Sequence, residues 1–280
     1  MGAFHRPSTV DEALILLRER PLTVLAGGTD FFPSRVLRPA TDDVLDLTGI
    51  RALAGITPDG AGHRLGALVT WTDLIEAALP RWFDGYALAA RQVGGVQVQN
   101  AGTLAGNLCN ASPAADGTPN LLVLDATVDL ASAAGTRRVP VADFVVGNRR
   151  TLRRPDEVVT ALHVPGFAPG TRATFLKLGG RRYLVISIVM VAALLEPAAD
   201  GTVGRLHVAV GACGPTPRRL DALEGELAGL PIDRRLAERV RPDHLAALLP
   251  IDDVRASARY RREAALVLVK RAIAQLVEDR

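Results

Sequence analysis

The 280-residue sequence predicts an α+β protein in two parts. Three observations carry that expectation. Short β-branched and leucine-rich runs alternate with helical patterns from the N-terminus to about residue 165, as in a layered α and β unit. A Pro- and Gly-rich stretch, "PGFAPGT" (165–171), then separates two periodic regions. Beyond it strand patterns come first and helical patterns last, which points to a small second unit with an antiparallel sheet and helices. The expected division is 1–167 and 168–280, with the first part itself divided into about 1–55 and 56–167.

The elements follow in order. "PSTVDEALILLRE" (7–19) is an expected helix, because Thr9 and Glu12 have capping-box spacing and Val10, Ala13, Leu14 and Leu17 share a face. "LTVLA" (22–26) is an expected strand that breaks into a glycine loop, "AGGTD" (26–30). "DVLDLT" (43–48) and "HRLGALVTW" (63–71) are further strands, and Thr70 or Thr72 can cap a helix over "DLIEAAL". Next comes Gln99–Asn120, "QNAGTLAGNLCNASPAADGTPN", a long run of small and turn-forming residues without an aromatic. "LLVLDATVDLAS" and "EVVTALHVP" (157–165) read as strands, the first with the option of opening as a helical turn. In the second part "ATFLKLGG", "LVISIVMVAALLE" and "RLHVAVGAC" make the sheet, and "DALEGELAGL" and "RYRREAALVLVKRAIAQLVEDR" make helices.

Composition narrows the function classes. With 48% hydrophobic residues the chain has enough apolar mass for real cores. The net charge is only +3, and the arginine pairs are scattered among acids with 4% aromatic residues, so a nucleic-acid surface is not expected. The two cysteines, Cys109 and Cys213, form no CxxC, and the five histidines have no ligand spacing; no metal, disulfide framework or iron–sulfur site is expected in this chain. Cys109 reads as a small buried filler. No apolar run approaches the ~18 residues of a membrane span, and the N-terminus has no signal-type apolar core, so the expected compartment is the cytoplasm.

Two glycine segments carry the chemistry. In "AGGTD" the glycines let backbone N–H groups approach a ligand without a Cβ in the way, and phosphate is the ligand such amide clusters favour. Alone the segment also fits an ordinary tight turn, and it is neither a Walker A loop nor GxGxxG. "GTLAGN" (102–107) reads as a second loop of the same kind, to which Thr103 and Asn107 can add side-chain donors. Two such loops can hold the two phosphates of a dinucleotide. Asp116, acceptor-only at neutral pH, suits a ribose hydroxyl pair, or serves as a turn aspartate ahead of Gly117.

"LAGGTDFFP", "GTLAGNLCNASPAADGTPNLLVLDA", "RRTLRRPDEVVTALHVP", "FLKLGGRRYLVISIVMVAA" and "VGACGPTPRR" resemble, in order and spacing, the FAD-binding medium subunit of molybdenum hydroxylases of the xanthine dehydrogenase and carbon monoxide dehydrogenase type. The resemblance spans essentially the whole chain. It implies an α+β flavin fold of the vanillyl-alcohol oxidase and MurB group, followed by a small α+β C-terminal domain. It also implies that Ala26, Gly27, Gly28, Thr29 and Asp30 lie against the FAD pyrophosphate and that Thr103, Leu104, Ala105, Gly106 and Asn107 form the second such segment. Asp116 matches an FAD-contacting aspartate, Val159 an apolar contact, and Lys177 the lysine that the second domain presents to the cofactor. Lys177 stands out independently, because Lys270 is the only other lysine in this arginine-rich chain. One position departs from the pattern: Ala105 stands where the family usually has a glycine. Were positive φ needed there, alanine would cost on the order of 1 kcal/mol; otherwise its methyl would crowd the ligand.

By that resemblance the chain works inside a larger complex. A molybdenum-cofactor large subunit oxidises the substrate, a small subunit with [2Fe-2S] clusters relays electrons, and the FAD of this chain passes them to an external acceptor, in a dimer of heterotrimers. The flavin supplies the chemistry, so no catalytic acid or base is nominated here. Two other readings stay open: a self-sufficient flavin oxidoreductase, for which Tyr183 is the most plausible base, and a scaffold that keeps the fold without the flavin.

Overall fold

The computed structural model describes residues 2–36 and 41–278. The chain opens with a three-stranded parallel sheet of β1 (Phe4–His5), β2 (Thr23–Leu25) and β3 (Val44–Asp46), in the order β1-β3-β2. Helix α1 (Val10–Glu19) joins β1 to β2 and buries Ala13, Leu14 and Leu17, the face the spacing predicts. Thr9 caps it by accepting the Glu12 N–H at 3.2 Å, whereas the Glu12 carboxylate accepts from the Ser8 amide at 2.8 Å, one residue before the expected partner.

A five-stranded antiparallel sheet follows. It contains β4 (Ile56–Asp59), β5 (Gly62–Gly66), β6 (Thr127–Ser132) and β7 (Gly135–Pro140). A small hairpin, β8 (Val145–Gly147) and β9 (Arg150–Thr151), leads to β10 (Val158–Val164), which enters the centre of the order β4-β5-β10-β6-β7. Between β5 and β6 the chain is helical: α2 (Trp71–Glu76), α3 (Asp84–Ala90), α4 (Val96–Ala101), α5 (Leu104–Asn110) and α6 (Gly117–Val123), with α7 (Val141–Phe144) after β7. Thr70, rather than Thr72, caps α2 in a full capping box with Asp73.

One expectation is corrected in this region: "GTLAGN" leads into and starts helix α5 rather than forming a loop. "LLV" takes the helical option left open for it and completes helix α6, with the strand β6 following at Thr127. Every residue of α6 is buried, so its apolar run lacks the one-sided periodicity that distinguishes a helix from a buried strand.

The C-terminal part is a four-stranded antiparallel sheet of β11 (Arg172–Leu178), β12 (Val189–Pro197), β13 (Val203–Gly211) and β14 (Arg218–Arg219), followed by α8 (Asp221–Leu227), α9 (Arg235–Glu238) and the long α10 (Ala258–Glu278). Side chains alternate across β12. Met190, Ala192 and Leu194 enter the core shared with the first part, and Val189, Val191, Ala193 and Leu195 enter a second core with α10. The continuous apolar run of this strand is therefore required by burial on both faces. The α+β expectation, with an antiparallel C-terminal sheet covered by helices, matches the architecture.

Candidate cofactor site

The two glycine segments, distant in sequence, pack directly on one another. A Cβ added to Gly27 would lie 1.7 Å from the carbonyl oxygen of Ala101, the last residue of α4, so only glycine permits this approach. Gly28 has φ +66°, the left-handed conformation that turns β2 into the loop. On the other side a Cβ on Gly102 would lie 3.1 Å from Thr29 Oγ1. The second segment is anchored from behind: the Trp71 N–H donates to the Gly102 carbonyl at 3.2 Å, and the Leu104 N–H to the Val69 carbonyl at 2.9 Å. Thr103 caps α5, its Oγ1 accepting the Gly106 N–H at 2.9 Å.

This packing leaves a rim of uncovered backbone. Thr29, Asp30 and Gly106 are exposed, and Gly27, Gly28 and Asn107 are half-buried. A Cβ on Gly106 would meet only the Thr103 side chain that caps its own turn, so its outer face is open. Leu104 and Ala105 point the other way, into the first core. Ala105 is in the right-handed helix and absent from the positive-φ residues, and at 3% exposure its methyl packs inside rather than toward the rim. Both concerns about this departure from glycine are thereby removed.

Beside the rim, Asn107 Oδ1 accepts the Gly117 N–H at 3.3 Å and ties α5 to the start of α6. The adjacent Asp116 is buried and reaches into the C-terminal part, where Lys177 Nζ on β11 lies 2.6 Å from Oδ2 and the Ser187 hydroxyl donates to Oδ1 at 2.7 Å. Burial pushes the Asp116 carboxyl above its ordinary 3.8, while the Lys177 ammonium and the Ser187 hydroxyl pull it back down. Two residues singled out separately in the sequence thus form one ion pair across the two parts. Ser187 was not foreseen, since a serine inside "VISIV" carries no pattern of its own. Val159 lies in β10 beside a bulge, buried in the first core and in register with Leu130.

A second unforeseen residue is Arg149, at the tip of the β8–β9 hairpin. Its guanidinium donates to Asp30 Oδ2 at 2.7 Å and to Asn110 Oδ1, joining the first glycine loop to the last turn of α5. Cys109 is half-buried against the first core, and desolvation pushes its thiol up to about 11, which keeps it a protonated filler. Tyr183 is 60% exposed on the segment between β11 and β12, with the Arg182 guanidinium 5.1 Å from its ring centroid. Among the described residues no group of His, Cys, Asp or Glu is arranged to hold a metal ion, and no helix is long and apolar enough to cross a membrane.

The Gly27–Asp30 backbone, packed against the second segment, is the kind of arrangement that suits phosphate groups. In the second segment the Leu104, Gly106 and Asn107 N–H groups are taken by the Val69 carbonyl, Thr103 Oγ1 and the Thr103 carbonyl, and the Cβ-free outer face of Gly106 is what leaves room for a ligand. Residues 1–167 match the family described as FAD binding domain in molybdopterin dehydrogenase, and the chain belongs to that family. Residues 174–276 match the CO dehydrogenase flavoprotein C-terminal domain. The xanthine dehydrogenase FAD-binding subunit of Escherichia coli O157:H7 is 29% identical over 286 residues, which cover 99% of this chain and 96% of that protein. The carbon monoxide dehydrogenase medium chain of Hydrogenophaga pseudoflava is 29% identical over 278 residues, with 96% and 95% covered. Among solved structures, carbon monoxide dehydrogenase from Hydrogenophaga pseudoflava superimposes with a TM-score of 0.87 at 29% identity, over 97% of this chain and 96% of that one. Quinoline 2-oxidoreductase from Pseudomonas putida 86 gives 0.89 at 25% identity, over 100% and 98%. The protein is an FAD-binding oxidoreductase subunit of the molybdenum hydroxylase type.

Proposed function

We propose that this chain holds FAD on the rim formed by Ala26–Asp30 and Thr103–Asn107, with Asp116, Val159 and Lys177 completing the site, and that it conducts electrons from the [2Fe-2S] clusters of a partner subunit to an external acceptor. The observation that carries this reading is the contact of Gly27 with the Ala101 carbonyl, which puts the two open segments side by side. Bound FAD supplies the capacity to take up electrons and release them to a second carrier. The chain's own residues supply place and environment. Backbone N–H groups of Gly27–Asp30 meet phosphate oxygens, the Cβ-free face of Gly106 lets the cofactor approach the start of α5, the exposed Thr29 hydroxyl and the half-buried Asn107 side-chain amide add donors, and the Asp116–Lys177 pair fixes the first part of the fold to the second beside the cofactor.

In this reading residues 1–167 are the FAD-binding part and 168–280 the C-terminal flavoprotein part. The partners are a molybdenum-cofactor large subunit and an iron–sulfur small subunit, two copies of each with two of this chain, in the cytoplasm. The test uses the assembled complex. Stripping its flavin is expected to leave substrate-dependent bleaching of the iron–sulfur clusters intact while reduction of an external acceptor stops, and added FAD restores it. Undiminished acceptor reduction by the flavin-free complex would overturn the proposal.

A further inference from the structure

Asp30 poses an electrostatic problem. Its carboxylate is exposed on a loop whose backbone is open for anionic oxygens, and a carboxylate there repels a diphosphate. The structure holds a counter-charge in place. Arg149 reaches Asp30 Oδ2 at 2.7 Å and contacts Asn110 Oδ1 with the same Nη1, and its backbone N–H donates to the Ala111 carbonyl at 2.9 Å. Its backbone is at φ +58°, a left-handed conformation that glycine or asparagine adopts at less cost. A turn chosen for its backbone alone would not carry arginine at this position. The side chain gives the reason, because it arrives between the first glycine loop and α5.

We propose that Arg149 is a positioning and charge-neutralising residue of the cofactor site, which offsets Asp30 and so allows the "AGGTD" loop to accept a diphosphate. The inference rests on the FAD reading above. Side chains of Arg149 and Asp30 are 55% and 51% exposed, so the pair contributes little to stability in water; its effect is exerted on the bound anion.

The test measures FAD dissociation constants by flavin fluorescence, with melting temperatures in parallel, for the full chain and four variants. Arg149→Met weakens FAD binding about tenfold, the factor that corresponds to about 1.4 kcal/mol. Adding Asp30→Asn to Arg149→Met recovers most of the loss, because no carboxylate then remains to be neutralised, and Asp30→Asn alone binds FAD more tightly than wild type, because the Arg149 guanidinium then faces the diphosphate unopposed. Arg149→Gly suits the left-handed backbone, so it keeps or raises the melting temperature while weakening FAD as Arg149→Met does. Unchanged affinity in both Arg149 variants overturns the inference and leaves the FAD reading standing. So does a loss of affinity that tracks the melting temperature and is not recovered by Asp30→Asn. A wild-type chain that binds no FAD overturns the FAD reading itself, and this inference with it.

Discussion

Asp116 and Lys177 are the most consequential pair at the scale of single residues. Their side chains are 8% and 6% exposed, so both charges have left water and each depends on the other. Truncating one partner leaves the other uncompensated: Lys177→Met is expected to destabilise the fold by about 3 kcal/mol, read by urea denaturation at neutral pH. The pH dependence has a definite sign. A raised Asp116 pKa means the folded chain binds that proton more readily than the unfolded chain, so its contribution is full below the ordinary 3.8 and is lost as pH rises through the raised value. Removing the Lys177 ammonium raises the carboxyl further, so the deficit of Lys177→Met shrinks from about pH 8 to about pH 5; an equal deficit at both would contradict this. Ala105→Gly, the substitution that restores the family's usual residue, is expected to cost about 0.5–1 kcal/mol of stability and to leave FAD affinity unchanged, because the methyl is a core group in a helix. Asp116 and Lys177 were legible as motif positions, but their contact was not, since nothing local encodes a partner across the two parts. Ser187 and Arg149 were invisible for the same reason: their roles come from where the fold delivers them.

At the scale of elements, the readable ones are those whose residues state a period. Helix α1 announced its cap and its buried face, and β12 and β13 announced themselves by long β-branched and aliphatic runs. The site elements did not. The run Gly102–Asn107 has too few large residues to show a helical stripe, yet Thr103 caps it and Leu104, Ala105 and Leu108 pack it into a helix. Thr103→Ala is therefore expected to cost about 1 kcal/mol by thermal unfolding. It also loosens the turn that presents Gly106, so FAD affinity falls with it; a stability loss without any change in FAD affinity would separate this helix from the site. The correction from loop to helix sharpens the reading of the motif. Its small residues are required where α5 meets the glycine loop, and its aliphatic residues are buried on the opposite side.

At the scale of the whole molecule, the two parts share a core. The C-terminal sheet gives one face to the first part and the other to α10, and His207 donates from Nδ1 to the Val123 carbonyl at 2.7 Å across the junction. Exposing either face would be costly, so calorimetry is expected to show a single transition with matching calorimetric and van't Hoff enthalpies. Burial holds the His207 pKa below 6.5, so the unfolded chain binds more protons there and stability falls as pH drops below about 6.5. His207→Gln is expected to flatten that part of the melting-temperature profile. The central claim is that the two packed glycine segments hold FAD. Its most direct test is a titration of the flavin-free chain with FAD, following the visible flavin spectrum and fluorescence for wild type and Gly27→Ala side by side. Wild type is expected to saturate at a single FAD per chain, and Gly27→Ala, whose Cβ cannot fit beside the Ala101 carbonyl, to show a large loss of affinity. Absence of binding by wild type, or equal binding by a folded Gly27→Ala chain, would contradict it.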